Sequence, residues 1–337
     1  MKLIPPYIAV HPDNKPCLLY PGFTAHFFTL FLLFACIFPL TVLADKCLFV
    51  SSYHPGYAWS DGVERGIRST LEGKCEIMQF NMDTKRNKHP EHMRKAGLEV
   101  KQLIDSWKPD IVITADDNAA KYVIQAHFKD HEIPFVFCGI NWTADEYGFP
   151  YSNVTGMVEV ELPDQLVDLL KAHAKGERLG YITIDTETER KVVETYNQRF
   201  FNGQMQPYWV KTQAEFKTAF QAAQQEVDIL FVGNNAGSDK WDEEEMKQFV
   251  LRNATVPTGS INDWMAPYAL LTLAKSSKEQ GEWAAQAALS ILDGTAISEI
   301  PVTENKKGEM IVNLDLADKL GVVFAPSLLK NALILGQ

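Results

Sequence analysis

FVSSYHPGYAWSDGVERGIR, residues 49–68, opens apolar, breaks at Pro55-Gly56 in a knot of aromatics, and resumes with helical spacing. Residues 47–50 form a short apolar run that suits a buried strand, and Trp59, Val63, Ile67 and Leu71 then recur every fourth position as one stripe of a helix. A strand that passes through a polar turn into a helix is the unit of a parallel sheet, because a parallel neighbour is reached only by a crossover. The turn itself carries Tyr53, His54 and Tyr57. It admits three readings: a catalytic loop on His54, a phosphate cradle, or the rim of a binding cleft.

The same alternation continues on the C-terminal side. Strands are predicted at 76–80, 111–114 and 135–138, with helices along the stripe Met93, Ala96, Val100, Leu103, Trp107 and over 119–128. This βαβαβαβ order predicts a parallel sheet with helices on both faces. The pattern restarts after Asn153-Val-Thr-Gly156, with helices over 162–174, 189–201, 214–225 and 243–252 and strands over 179–184, 208–210, 229–232 and 257–261. The fold class expected is therefore α/β with two doubly wound parallel-sheet lobes. A helix over 280–292 and a strand-rich segment over 300–312 follow both units, and pattern alone allots them to neither.

At 337 residues the chain is long for one core, in keeping with two lobes. Its 32 Lys and Arg against 43 Asp and Glu, net -11, leave no basic footprint for nucleic acid. The long apolar run at 27–44 ends in Val42-Leu43-Ala44 before Asp45-Lys46, the pattern of an export signal cleaved after Ala44. The segment before it is long and carries only Lys2 and Lys15, which a start codon placed too early would explain. An uncleaved membrane anchor, or lipidation at Cys36 within Leu33-Phe-Ala-Cys36, are the alternatives. Past Ala44 there remain Cys47, Cys75 and Cys138. Cys47 and Cys75 each open a predicted strand, so they either pair across neighbouring strands in an oxidising compartment, leaving Cys138 buried, or all three are free thiols.

In open parallel sheets ligands bind beyond the carboxyl ends of the strands, so the residues just after each strand are the candidates. These loops hold Ser52 and Tyr53, Asp116, Asp117 and Asn118, and Asn141 and Trp142 in the first unit. In the second they hold Thr186, Asn234 and Asn235, and Asp263 and Trp264. Hydroxyls, amides and helix N-termini suit an anionic end, carboxylates a cationic one, and rings a flat body. Asp, Asn, Ser and Thr are equally the ordinary N-caps of helices that follow strands, but Tyr53, Trp142 and Trp264 are not. No dinucleotide fingerprint, phosphate loop or nucleophile elbow is present, and the His pairs His89/His92 and His127/His131 lack companion ligands. Neither catalysis, nor a metal, nor a cofactor is expected.

Several stretches together resemble the ABC transporter substrate-binding family whose members take up tryptophan or tyrosine. They are His54-Pro55, Asp110-Ile-Val-Ile-Thr-Ala-Asp-Asp-Asn-Ala-Ala120, Ile133-Pro-Phe-Val-Phe137, Asn153-Val-Thr-Gly156, Ile300-Pro-Val302 and Ile311-Val-Asn-Leu-Asp-Leu-Ala-Asp-Lys-Leu-Gly321. The resemblance implies a type I periplasmic binding protein, with two lobes joined by a three-strand hinge. It allots 45–157 and 276–298 to the N-terminal lobe, and 158–275 and 299–337 to the C-terminal lobe. Its ligand loops fall on the candidates above, but the chain departs from tryptophan-type members at Ser52-Tyr53, Asn141-Trp142 and Asp263-Trp264. What it implies is a monomeric periplasmic receptor that captures an amino acid or similar polar solute for an ABC permease. The same cleft would serve a sensing module that reports to a membrane histidine kinase or chemoreceptor.

Overall fold

The computed structural model describes residues 44–238 and 240–336. The expected export segment, with the motif at 33–36, lies outside the described residues up to residue 43. Among the described residues no helix is long and apolar enough to cross a membrane.

The first sheet begins with β1 (Asp45–Ser51), helix α1 (Ala58–Leu71), β2 (Cys75–Asn81), helix α2 (Pro90–Trp107) and β3 (Ile111–Ala115). It continues with the short helix α3 (Asp116–Ala119), β4 (Phe135–Asn141) and β5 (Val154–Glu159). The second lobe contributes α4 (Pro163–Lys171), β6 (Leu179–Ile184), α5 (Glu187–Arg199), β7 (Gln206–Val210), α6 (Gln213–Glu226), β8 (Ile229–Val232), α7 (Glu243–Asn253), β9 (Thr258–Ser260) and β10 (Leu271–Lys275). Helix α8 (Ser277–Leu292), β11 (Thr303–Glu304), β12 (Gly308–Asn313), α9 (Leu314–Leu320), α10 (Pro326–Leu329) and β13 (Leu333–Leu335) complete the chain.

The first sheet has the order β11-β5-β4-β3-β1-β2 and the second β13-β12-β10-β9-β8-β6-β7. Every pair is parallel except β10 with β12. Buried runs such as 111–113 and Ile229–Val232 are apolar on both faces, as strands covered by helices on either side must be.

The helix expected over 119–128 starts earlier and differs in kind. It leaves β3 at Asp116 and widens into π-helical turns over Ala120–Gln125. Helix α2 lies against this wide segment: a Cβ on Gly97 would come within 2.2 Å of the Tyr122 carbonyl oxygen, so only glycine permits the approach. Helix α8 meets α1 by the same device, since a Cβ on Gly281 would lie 2.1 Å from the Val63 carbonyl oxygen. Behind that contact, Val63, Ile67 and Leu71 pack with Phe49, Ile111, Ile113 and the alanines of α8. Cys47 and Cys75 are joined as a disulfide with a Cα–Cα distance of 5.9 Å, and Cys138 is a buried free thiol.

The chain passes between the sheets three times: from β5 into α4, from β10 into α8, and from β11 into β12. Polar side chains lace the three passages together. The Asn305 amide exchanges two hydrogen bonds with the Val160 backbone, at 2.7 and 3.0 Å. The Glu279 carboxylate accepts from the backbone N–H groups of Lys306 and Lys307. Lys275 reaches both Glu159 and Glu161. Three adjacent crossings held by polar side chains define the position of a hinge.

Candidate functional site

Strand order reverses once in each sheet, between β1 and β3 in the first and between β6 and β8 in the second. At such a point the chain leaves the two central strands toward opposite faces and opens a crevice beyond their carboxyl ends. The loops that border these crevices hold Ser52, Tyr53 and Asp116 to Asn118 on one side, and Thr186, Asn234 and Asn235 on the other.

In the first lobe the candidate loops form one hydrogen-bonded unit. Ser52 is 0 % exposed, and its hydroxyl is spent inward: it donates to the Ala115 carbonyl at 2.6 Å and accepts from the Ala119 N–H at 2.8 Å. It fixes the start of α3 against β1. Asn118 donates to Thr84 Oγ1 at 2.9 Å, and Thr84 Oγ1 donates to the Ser52 carbonyl at 2.7 Å. Asp117 has a donor on each oxygen, Asn141 Nδ2 and Tyr147 Oη, both at 2.8 Å.

Asp116 is the unusual member. It is 4 % exposed, takes a left-handed backbone with φ of 69°, and receives one hydrogen bond, from Trp59 Nε1 to Oδ1 at 2.9 Å. Its Oδ2 is buried and has no partner. Burial, followed by the nearby Glu159 charge, holds its carboxyl well above the ordinary carboxylate range. Left-handed geometry at a non-glycine residue costs about 1–3 kcal/mol and persists where the surroundings over-determine it, commonly at binding sites.

Tyr53 and Tyr57 meet edge to face with ring centroids 5.3 Å apart, and the Lys85 ammonium lies over both, 4.7 and 4.8 Å from their centroids. Burial, then Asp116 and Asp117, push the Tyr53 hydroxyl well above its usual value, so it stays a neutral donor. Glu159, at the end of β5, is raised by burial despite the Lys275 ammonium beside it. Burial lowers Lys275, but Glu159 and Glu161 outweigh that and hold it charged.

The second lobe presents shallower groups. Thr186 caps α5 by accepting from the Glu189 N–H at 3.2 Å. The Asn234 carbonyl accepts from Ile184 N–H, its Oδ1 accepts from Ala236 N–H, and the Asn235 carbonyl accepts from Ser238 N–H. Asp263 Oδ1 accepts from the Trp264 N–H, and the Trp264 ring is 54 % exposed. A cavity of about 420 Å³ is lined by Tyr57, Trp59 and Arg65 of the first lobe, by Asn262, Asp263 and Trp264 of the second, and by Lys275. That volume fits a small solute.

Trp142 stands apart from this group. Its backbone is left-handed, φ 60°, and its ring packs against Tyr196 and under the Arg199 guanidinium, 5.4 Å from the centroid. Arg199 also pairs with Glu304 on β11. The structure thus brings together Ser52, Tyr53, Asp116, Asp117, Asn118 and Asn141, and sets Thr186, Asn234 and Asn235 at the switch point of the second sheet. Asp263 and Trp264 sit on the cavity rim. Trp59, Lys85 and Tyr147 contact these loops directly, and Glu159, Glu161 and Lys275 form an ion-pair group beside them. Trp59 had the spacing of a core stripe, which it also joins, and the others had no local signal. Among the described residues no three His, Cys, Asp or Glu side chains converge to hold a metal ion.

The family model described as ABC transporter substrate binding protein matches residues 54–334. No curated protein matches the sequence. Among solved structures, the ligand-free, open form of a substrate-binding protein with adhesive properties from Clostridium difficile superposes with a TM-score of 0.66 at 18% identity, covering 87% of this chain and 100% of that one. An ABC domain in complex with L-Trp from Streptococcus pneumonia gives a TM-score of 0.51 at 18% identity, again over 87% of this chain and 100% of the other. Two parallel-dominated sheets, three crossings and these likenesses make the fold that of a type I periplasmic binding protein. The chain belongs to the ABC transporter substrate-binding protein family.

Proposed function

We infer that this protein is an exported, monomeric receptor that captures an amino acid or a similar small polar solute between its lobes and presents the closed form to an ABC permease. One observation carries this reading: each sheet directs polar loops from its switch point, and the lobes that bear them are joined by three laced crossings. Ligand bridging both sets of loops binds the closed form better than the open one, so it shifts the population toward closure. The permease then reads a surface that exists only when both lobes are engaged.

The aromatic lining offers a direct test. Trp59 and Trp264 border the cavity, so occupancy changes their environment. Titration of intrinsic fluorescence with amino acids and related polar solutes is expected to show a saturable, one-to-one change for at least one of them. No saturable change and no thermal shift with any solute would refute the receptor reading.

A further inference from the structure

We propose that the ligand of this cleft is a small organic cation, whose ammonium group displaces the Lys85 ammonium from the face of Tyr53 and Tyr57, and that Lys85 is the residue that sets its affinity. The inference rests on the receptor reading and names the class of its ligand.

Two lysines touch the candidate loops and the cavity wall, Lys85 over Tyr53 and Tyr57 and Lys275 in the lining, and they differ in how they are held. Lys275 is locked at the hinge, in ion pairs with both Glu159 and Glu161. Lys85 is exposed and has no carboxylate partner among the described residues; its ammonium lies 4.7 and 4.8 Å from the centroids of two tyrosine rings. The nearest acid in its own loop is taken, because Asp83 is bound by Arg86 at 2.7 and 2.8 Å and by Asn87 at 3.0 Å. Two aromatic faces around one ammonium make a cage for a cation, and here the chain fills it with its own side chain.

A second, independent feature points the same way. Near the cage lies the Asp116 carboxyl, buried, with Oδ2 unpartnered and no ion pair to it among the described residues, the Lys85 ammonium acting on it only from a distance. The Asp117 and Glu159 carboxylates stand near enough to help burial hold both the Tyr53 hydroxyl and the Asp116 carboxyl above their ordinary values. A buried acceptor without a partner is costly, and a positive charge held nearby lowers that cost. Lys275 cannot supply it without abandoning two carboxylates, and Lys85 reaches the rings but makes no hydrogen bond to the acid. A ligand ammonium entering the cage takes over the positive charge that Lys85 now brings to this acidic surrounding. Divalent metal is the poorer occupant, since no three acidic, histidine or cysteine groups converge among the described residues.

The resident lysine acts as a competitor. Removing it frees the cage, while its cation–π contacts no longer oppose entry, so cation affinity rises by roughly tenfold. Had Lys85 instead been a contact for the carboxylate of a zwitterion, the same change would weaken binding.

The test is calorimetric titration of wild type, Lys85→Met and Lys85→Arg with putrescine, agmatine, tyramine, L-tyrosine and 4-hydroxyphenylacetate as probes. Lys85 is on the surface, so the variants fold. The expected result is that one or more of the three amines binds wild type, binds Lys85→Met about tenfold tighter, and binds Lys85→Arg near the wild-type level. Equal or weaker amine binding by Lys85→Met, or equal tightening in Lys85→Arg, overturns the displacement. If L-tyrosine or the acid binds and no amine does, the cation class is overturned while the receptor reading stands. If no probe binds any of the three proteins, the inference fails, and the fluorescence titration with the wider solute set decides the receptor reading separately.

Discussion

Asn305 and Val160 are bound to each other twice: Val160 N–H donates to Asn305 Oδ1 at 2.7 Å, and Asn305 Nδ2 donates to the Val160 carbonyl at 3.0 Å. The pair ties the third crossing to the first, and Asn305 is buried. Replacing Asn305 by Ala leaves a buried N–H and a buried C=O without partners, which costs about 1–3 kcal/mol. A lowered melting temperature, together with faster amide exchange at Val160, is the expected outcome. An unchanged melting temperature would mean that the crossings do not depend on this pair.

The Asp116 carboxyl is raised above its unfolded value, first by burial and then by Glu159, with Asp117 adding to the effect and Lys85 and Trp59 opposing it. An acid with a raised folded pKa favours the fold while protonated. Its contribution is therefore complete below the ordinary carboxylate range, near 3.8, and is lost as pH climbs through the raised value. The slope from this one group reaches about 1.4 kcal/mol per pH unit. Asp116→Asn removes it, so the melting temperature of the variant rises relative to wild type from about pH 4 toward about pH 7. Parallel curves for the two proteins would show that Asp116 ionises in the fold without penalty.

Trp59→Phe keeps an aromatic ring against the core and deletes the Nε1–H that Asp116 Oδ1 accepts. Asp116 then has no hydrogen bond on either oxygen, which costs about 1–3 kcal/mol. Chemical denaturation is expected to show this loss with an unchanged m-value. Equal stability of the two proteins would locate the worth of Trp59 in its ring alone.

The Cys47–Cys75 bond closes a loop with a sequence separation of 28 between the two edge-side strands of the first sheet. Loop-closure entropy gives it about 3.6 kcal/mol of stabilisation. Cys75→Ser, or reduction of the wild type, is expected to lower stability by that order, and reductant should leave the variant unaffected. Reductant-insensitive melting of the wild type would contradict the pairing.

The alternation of strands and helices, and so the α/β fold, was legible because parallel strands covered on both faces read as unbroken apolar runs. The loops at their carboxyl ends were legible for the same reason, each beginning where a run stopped. What the pattern concealed was direction and company. Ser52 has the chemistry of a ligand contact, yet its hydroxyl is consumed by Ala115 and Ala119. Glu159 and Lys275 lie far apart in the chain and meet only because two crossings run side by side. Lys85 sits in the charged run Lys85-Arg86-Asn87-Lys88, which carries every mark of a solvated surface. Only folding sets it over two tyrosines. The π-helical turns after α3 were hidden too, since a wide turn leaves the apolar spacing of the segment nearly unchanged.

Native mass spectrometry of freshly purified wild type beside Asp117→Ala tests most directly the claim that the first-lobe loops bind a small solute. Asp117 holds Asn141 and Tyr147 in place at the crevice. The wild type is expected to carry one small-solute adduct, lost on unfolding, and the variant to lack it. An adduct retained at wild-type occupancy in Asp117→Ala, or none in either protein after incubation with the solutes of the fluorescence titration, would contradict the account.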